Sequence, residues 1–451
     1  MSISDFVGLA VTTVITAAFI RGLRPGMSAL IVLRPACDRI FEAGRFHVAS
    51  HDFSFGAVLN AIVIGTLILN LPRVRERVPP KLAVMWPPFL LMTLLATVYS
   101  PVPGDAFRKF LTYVTCGSIF LLAFVLIRTR ADLRHYLKMI LLSSLIPVLY
   151  GAYELVSRTD IYPGGRIQST FSHPNIFAFY LLLNIGIVLF LHASRTIRAR
   201  RSYLAIAAVY LVPLFLMLVM TKTRSAWVAC LLLLLSYGIV YDRRVLVFAL
   251  GLPPILALAI PEIRSRIMDL ETGNNYVGWV QQVNAYAWRN LLWHDAFPWI
   301  LKKPLQGWGL YSFPYYSPQF FPLERAHGVD AHNVFVQLAF ETGFVGLLCY
   351  LWIYVRGLSW IALYSRYDRQ AVAMVVAIVV GYLVVCWSDN LLEYISFNWA
   401  FWFSVGLMFA YMSAYRSHLR MLQQTRGQRS YLALDVEAVM GVRQTRPSVA
   451  E

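Results

Sequence analysis

The sequence predicts an all-α polytopic membrane protein with about twelve transmembrane helices and one large outer loop. Three observations predict it. Of 451 residues, 58% are hydrophobic and only 14% charged, far from the roughly 25% charged residues of soluble domains. Apolar runs of about 17–23 residues recur along the chain, each long enough to cross a hydrocarbon core of about 30 Å. One stretch, 261–332, breaks the pattern with crowded aromatic and ionisable residues, among them Arg289, Trp293, His294, Asp295, Lys302, Lys303, Trp308, Tyr311, Arg325 and His332.

In order, spans are expected near 4–20, 53–71, 84–100, 105–127, 136–155, 173–192, 203–220, 224–241, 244–260, 333–355, 371–388 and 396–415. The first lacks a basic n-region and a small-residue cleavage site, so it reads as a retained helix and not a signal peptide. Basic residues cluster in every second connection: Arg73, Arg75, Arg77 and Lys81, then Arg128, Arg130 and Arg134, then Arg195 to Arg201, Arg243 with Arg244, Arg356 with Arg366, and Arg416 onward. Connections such as Ser100-Pro101-Val102-Pro103-Gly104 and Ser388-Asp389-Asn390 are poor in Lys and Arg. The positive-inside rule makes the basic set cytoplasmic, which puts both termini inside and the loop outside. Residues 21–52 resist the pattern. They carry Arg21, Arg24, Arg34, Arg39 and Arg45 where the alternation expects the outer side, and Met27–Leu33 reads as a short re-entrant or interfacial piece. The chain thus divides into a membrane bundle of about nine spans over 1–260, a large outer loop with amphipathic helices over 261–332, about three spans over 333–415 and a polar cytoplasmic tail over 416–451.

The net charge of +17 reports this topology and contact with anionic headgroups, and it does not point to nucleic acid. The five cysteines lie scattered within apolar segments and read as small buried hydrophobes. No P-loop or Gly-rich dinucleotide fingerprint is present, which argues against ATP-driven work. No cofactor is implied.

Ionisable residues at the ends of spans are costly and so become functional candidates. Four places on the expected outer side qualify. Gly164-Gly165-Arg166 to His173-Pro174-Asn175 leads into a span, with Asn175 able to cap the helix; a capped turn with one snorkelling Arg explains it equally well. In Thr221-Lys222-Thr223-Arg224-Ser225, two cations sit in a tight hairpin and invite an anion, for which the planar Arg fork suits phosphate oxygens; headgroup contact is the plainer alternative. Ala287–Ala296 has the spacing of an amphipathic surface helix that directs Arg289 at a site, although packing against the bundle would give the same pattern. In Asp330-Ala331-His332-Asn333 a titratable base opens a span, with Asp330 as its orienting carboxylate; lone histidines are more often structural. The His–Asp pairs fall short of a metal site. Arginines beside one base suit a diphosphate leaving group and an attacking hydroxyl, and the loop's Trp and Tyr suit sugar faces.

At these residues the chain resembles the O-antigen ligase and Wzy-type polymerase superfamily of bacterial envelope glycosyltransferases. Four pieces in order carry the resemblance: Arg166 with Phe171-Ser172-His173-Pro174-Asn175-Ile176-Phe177-Ala178; Thr223-Arg224-Ser225-Ala226; Arg289 and Trp293 with Pro304, Gly307-Trp308-Gly309 and Phe313; and His332-Asn333-Val334-Phe335 with Glu341-Thr342-Gly343-Phe344-Val345-Gly346. They cover roughly 160–350.

The resemblance implies a GT-C-like fold and a metal-independent, inverting glycosyltransferase of the bacterial inner membrane. Its donor would be an oligosaccharide on undecaprenyl diphosphate at the periplasmic face. Arg224 and Arg289 match the family's essential arginines and His332 its essential histidine, the base for the acceptor hydroxyl. Arg166 is a weaker substrate-binding candidate. Asn175, Lys222 and Asp330 join it from the reading of the residues themselves.

The acceptor would be another lipid-linked repeat for a polymerase, or lipid A–core for a ligase, with other polysaccharide-assembly proteins as further partners. The His173-Pro174-Asn175 form and Leu33-Arg34-Pro35-Ala36-Cys37-Asp38 resemble exopolysaccharide-type members, which favours the polymerase. A flippase is the more distant alternative. Its polar residues would gather near the bilayer midplane, whereas these gather at one boundary.

Overall fold

The computed structural model describes residues 3–48, 51–194, 202–259 and 285–426, with Pro261, Arg264, Ser265 and Met268 between them. The expectations for the remainder of 260–284 and for the tail beyond 426 lie outside the described residues.

The described residues are helical almost throughout. Helices α1 (Ile3–Arg21), α2 (Leu23–Ala36) and α3 (Asp38–Ala43) lead to a small antiparallel hairpin, β1 (Arg45–Val48) with β2 (His51–Ser54). Then come α4 (Phe55–Leu69), α5 (Leu71–Arg77), α6 (Pro80–Ala83), α7 (Pro87–Val98), α8 (Pro103–Leu126), α9 (Arg130–Ser143) and α10 (Leu145–Ser157). Four more, α11 (Pro174–Ala193), α12 (Ser202–Met220), α13 (Arg224–Val240) and α14 (Arg244–Ala259), precede the loop. The loop contributes α15 (Ala285–Lys302) and α16 (Ser312–Phe320), and α17 (Val334–Ala362), α18 (Arg369–Ser388) and α19 (Ile395–Arg426) complete the bundle.

Helix starts follow local chemistry. Proline opens α7, α8 and α11, where its missing N–H would have had no helical partner. Ser54 accepts from the Ala57 N–H, Thr129 and Asp132 form a capping box, and Asp368 accepts from the Ala371 N–H.

Among the described residues, eight helices are long and apolar enough to cross a membrane, or nine when α4 and α5, bent by 65°, count as one. Ile206–Met220 and Arg224–Val240 are shorter apolar helices, so the expected dozen includes members below that length. Burial separates centre from rim: 94% of the apolar window in α19 is buried inside the protein and only 17% of that in α1. The core forms where α19 packs on α8.

The bundle has two ends. At one, the basic connections meet: Arg24 pairs with Asp132 at 3.5 Å, Arg77 feels the charges of Arg128 and Arg73, and Arg356 Nε donates to the Lys81 carbonyl at 3.0 Å. At the other lie the 164–173 turn, the 221–223 hairpin, His332 and Asp389.

These contacts correct the expectation for the N-terminal region. Gly8 lies against Phe55 and Ile40, the Arg39 N–H donates to the Thr170 carbonyl and the Ser172 N–H to Asp38 Oδ2, all at the His332 end. Arg24 lies at the basic end. Helix α1 therefore runs from the His332 end to the basic end and α2 runs back, so residues 3–8 and the end of α19 lie at opposite ends of the bundle, not together. Fourteen residues of α2 rise about 21 Å. The arginines around it divide accordingly: Arg21 and Arg24 go to the basic end, while Arg34 is buried in an ion pair with Asp38 (2.8 Å) and a second with Glu42 (3.2 Å). The pattern that resisted alternation is one more helix between the ends.

One feature fixes the loop to the bundle. Helix α17 is broken at Gly343, with φ 68° and ψ −179°, a region essentially confined to glycine. The break leaves the carbonyls of Phe340 and Glu341 without helical donors. The N–H groups of Trp308 and Gly309 fill them, both at 2.9 Å, and the Phe344 N–H donates to the Pro304 carbonyl at 2.7 Å. The Leu310 N–H reaches the Ala96 carbonyl at 2.9 Å, and Ser100 Oγ donates to the Leu310 carbonyl at 2.7 Å. A Cβ on Gly343 would lie 2.2 Å from the Leu305 oxygen, and one on Gly309 2.6 Å from Ser100 Cα.

Gly343→Ala should therefore lower the unfolding midpoint of the detergent-solubilised protein, through about 1–3 kcal/mol of overpacking and about 1–3 kcal/mol of backbone strain. Scanning fluorimetry checks it, and an unchanged midpoint would show that the strap does not bear on stability.

Candidate active site

Four helix starts converge at the end opposite the basic one: α11, α13, α17 and α19. The turn before α11 is held from beneath. The buried Glu154 carboxylate accepts the N–H groups of Gln168 (3.2 Å) and Ser169 (2.8 Å), and Thr170 Oγ1 donates to the Pro35 carbonyl at 2.7 Å. The segment Leu33–Asp38 is thus a brace for this turn.

Arg166 is committed to the frame. Its guanidinium donates to the Thr221 carbonyl (2.9 Å), to Thr223 Oγ1 (3.1 Å) and to Asn175 Oδ1, tying the turn to the 221–223 hairpin. Asn175 is a junction and not the expected cap. Its Oδ1 also accepts from Thr223 Oγ1 at 3.2 Å, and its Nδ2 donates to Asp389. The cap of α11 is His173, whose Nδ1 accepts the Asn175 N–H at 3.1 Å. Lys222, at φ 52°, donates from Nζ to the Gly164 carbonyl at 3.2 Å. Arg224 is the half-buried first residue of α13. A cation there opposes the helix dipole by about 0.3–1 kcal/mol, whereas an anion would be favoured by both.

From the loop, α15 presents Leu292, Ala296 and Ile300 to an apolar cluster with Phe313, Phe321 and Phe340, the amphipathic stripe expected there. Its Trp293 Nε1 donates to the Ala331 carbonyl at 2.7 Å, and the Trp288 ring meets His332 edge to face at 5.7 Å. Arg289, on the same helix, lies close enough to Asp389, His173 and Tyr394 to act on all three.

His332 itself has φ 48°, a left-handed conformation uncommon outside glycine. Its neighbours impose it. The Ala331 N–H donates to Gln337 Oε1 at 2.8 Å, and Asn333 Oδ1 accepts the N–H groups of Phe335 (2.9 Å) and Val336 (3.2 Å), capping α17. The carboxylate opposite His332 is Asp389, with Oδ1 3.6 Å from Nδ1; it is not Asp330. Asp330 faces Gln337 Nε2 at 3.4 Å. Tyr394 Oη and the Asn390 N–H also donate to Asp389 Oδ1, at 3.0 and 2.9 Å.

The charges here are strongly perturbed. Burial would raise the Asp389 carboxyl, but the His332 imidazole 3.6 Å away, then Arg289 and His173, outweigh it and bring it down to about 2. Burial, chiefly, pulls the His173 imidazole down to about 4, with Arg166, His332 and Arg289 adding to it against Asp389. Burial and then the Asp389 charge push the Tyr394 phenol well above its ordinary value. At neutral pH the site therefore holds an ionised Asp389, a neutral His173 and a neutral Tyr394 that donates.

The structure thus gathers His332, Arg289, Asn175 and Arg166 and places the start of α13, with Arg224, against the same junction. It ties Lys222 to the turn and Asp330 to Gln337. Sequence reasoning missed Asp389 and Tyr394 and gave His173 no role. The signal for Asp389 was a carboxylate in an outer connection at the membrane boundary.

These features define a multi-pass membrane protein that gathers arginines, two histidines and a buried carboxylate at one end of its bundle. Residues 209–351 match the family model described as O-antigen ligase. The matched segment runs from α12 through the loop into α17 and contains Arg224, Arg289 and His332, so the resemblance to the O-antigen ligase superfamily holds over that part of the chain. A comparison with curated proteins found no significant match.

The shifts set the acid limb of stability. His173 takes its proton near 6.5 when unfolded but only near 4 when folded, so stability is complete above about pH 6.5 and falls towards pH 4 by up to about 3 kcal/mol. Asp389, at about 2 against an ordinary 3.8, withdraws stability only below about pH 4. Unfolding midpoints measured from pH 7 to 4 should show a shallower slope for His173→Asn, a side chain that can still cap α11. Equal slopes would sink the assignment.

Proposed function

We propose that the protein is a membrane glycosyltransferase that takes a glycan from undecaprenyl diphosphate at the periplasmic face of the bacterial inner membrane. The observation that carries this is His332 facing buried Asp389 at 3.6 Å, beside Arg289 and the Arg224 start of α13, at the end of the bundle opposite the basic connections. The match to the O-antigen ligase family over 209–351 supports it. By the positive-inside rule the basic end is cytoplasmic, which makes the His332 end periplasmic.

Ionised Asp389 holds the imidazole with Nδ1 towards it, leaving Nε2 for the acceptor hydroxyl. Such a carboxylate orients the ring and stabilises the imidazolium that forms, without itself taking the proton. His332 Nε2 removes the hydroxyl proton as the oxygen attacks the anomeric carbon. The bond to the diphosphate oxygen breaks, its electron pair stays on the diphosphate, and the carbon inverts. Arg224 and Arg289 bind the released charge, aided by the α13 dipole. Arg166 and Asn175 keep the two hairpins in register, and Trp288 offers a ring to a sugar face.

As a polymerase of exopolysaccharide or O-antigen repeats, the enzyme would take its acceptor hydroxyl from a second lipid-linked unit. The description of the matched family favours a second reading, ligation onto lipid A–core. A deletion strain separates them: single-repeat products or lost exopolysaccharide mean polymerase, whereas accumulated lipid-linked polymer with unsubstituted lipopolysaccharide means ligase.

Purified protein given lipid-linked repeats should transfer glycan without added metal or nucleotide, and turnover abolished by chelator would overturn the mechanism. His332→Ala should reduce transfer by about 10²–10⁴-fold, the usual share of a general base, with expression intact; near-normal product would remove it from that role. Arg224→Lys keeps charge but loses the bidentate fork. It should cost about 1.5–3 kcal/mol, the worth of a hydrogen bond to a charged group, read as an order of magnitude or more in kcat/KM. A mild effect would point to headgroup contact.

A further inference from the structure

We propose that Lys109 is a positioning residue for the transfer reaction, a buried ammonium that holds the loop carrying His332 and the turn carrying Asp389 against each other. This rests on the reading of that pair given above.

Lys109 lies in the second turn of α8 and is 8% exposed. A lone buried ammonium costs several kcal/mol in desolvation, so its surroundings have to compensate it. On one side it pairs with Glu393 of the 3-10 turn Leu391–Glu393. Glu393 Oε1 accepts from Asn390 Nδ2 at 3.3 Å, and the Asn390 N–H donates to Asp389 Oδ1 at 2.9 Å. Lys109 thereby anchors the turn that aims Asp389.

On its other side, Asp330 and Glu341 are close enough to act on its charge, as is Glu42. Glu341 Oε1 accepts from Gln337 Nε2 at 2.6 Å, and Gln337 Oε1 accepts the Ala331 N–H at 2.8 Å. Ala331 directly precedes His332, whose left-handed backbone persists only while its neighbours hold it. Glu42 already has Arg34 at 3.2 Å. Three carboxylates remain, Glu393, Glu341 and Asp330, and Lys109 lies among them. Without it, like charges would face one another across the interface between the two carriers. The chain from Lys109 to His332 and the chain from Lys109 to Asp389 are the two arms of one clamp, and a shift of about 1 Å in a reacting group costs roughly 10²-fold in rate.

The expected result for Lys109→Met is a kcat at least about tenfold lower with donor KM little changed, because Lys109 touches no substrate, and a lower unfolding midpoint, because its carboxylates then lack their counter-ion. Neutralising its partner as well, in Lys109→Met/Glu393→Gln, should recover part of kcat, since the uncompensated carboxylate is then gone. An unchanged kcat in either variant overturns the proposal. So does a loss of kcat that tracks a fallen midpoint in both, which is what a purely structural lysine would give. If Lys109→Met does not fold, the double variant alone decides: a lowered kcat at a normal midpoint supports the clamp.

A wild-type protein that transfers nothing would sink the functional reading instead. The clamp is then tested by the rate at which diethyl pyrocarbonate modifies His332, 40% exposed, followed by peptide mass spectrometry. A change of threefold or more in Lys109→Met, about 0.65 kcal/mol by RT ln 3, supports it, and an equal rate overturns it.

Discussion

Everything at the site depends on a helix that gives up its own hydrogen bonds. Where α17 breaks at Gly343, the Phe340 and Glu341 carbonyls turn to the backbone of Trp308 and Gly309. A loop long enough to wander is thus stitched into the bundle by main-chain bonds, independent of which side chains it carries. The stitch lies between α15, which bears Arg289, and the start of α17, which follows His332. It converts a surface loop into part of the wall around Asp389, with Glu341 held at the break to receive the Gln337 amide.

The second organising principle is electrostatic. Helices α11, α13, α17 and α19 all point their N-termini at one end, where partial positive charge already accumulates. Arg166, Arg224 and Arg289 add full charges to it. The buried carboxylate of Asp389 answers them, bonded to Asn175, Tyr394 and the Asn390 N–H and facing His332. Such a cluster would be expensive if its purpose were stability alone, since each ion must be stripped of water. On the proposed function it is a site prepared for an anion.

Hydropathy makes the long spans legible because lipid selects apolar side chains on every face of a helix, and α11, α17 and α18 stand out for that reason. Helix α2 does not. It is short, carries Arg24 and Arg34 at its two ends and Pro25 and Pro35 within, and is shielded by α1, α9 and α19, so its cost is settled by ion pairs that sequence does not display. His332 and Arg289 are legible because ionisable residues at a membrane boundary are rare. Asp330 attracts the expectation because it is close in sequence, whereas a base finds its carboxylate by proximity in space, here Asp389. The Gly307-Trp308-Gly309 and Glu341-Thr342-Gly343 pieces could be seen as motifs but not as two halves of one joint.

The left-handed backbone at His332 carries a tension between durability and turnover. A chain selected only to fold would place glycine there and relax; histidine keeps the strained geometry of roughly 1–3 kcal/mol. Surroundings that over-determine the loop, from Trp293, Gln337 and Asn333, are what make that tolerable. On the proposed role of His332, variants selected for thermal robustness should therefore gain stability at this position as they lose the reaction.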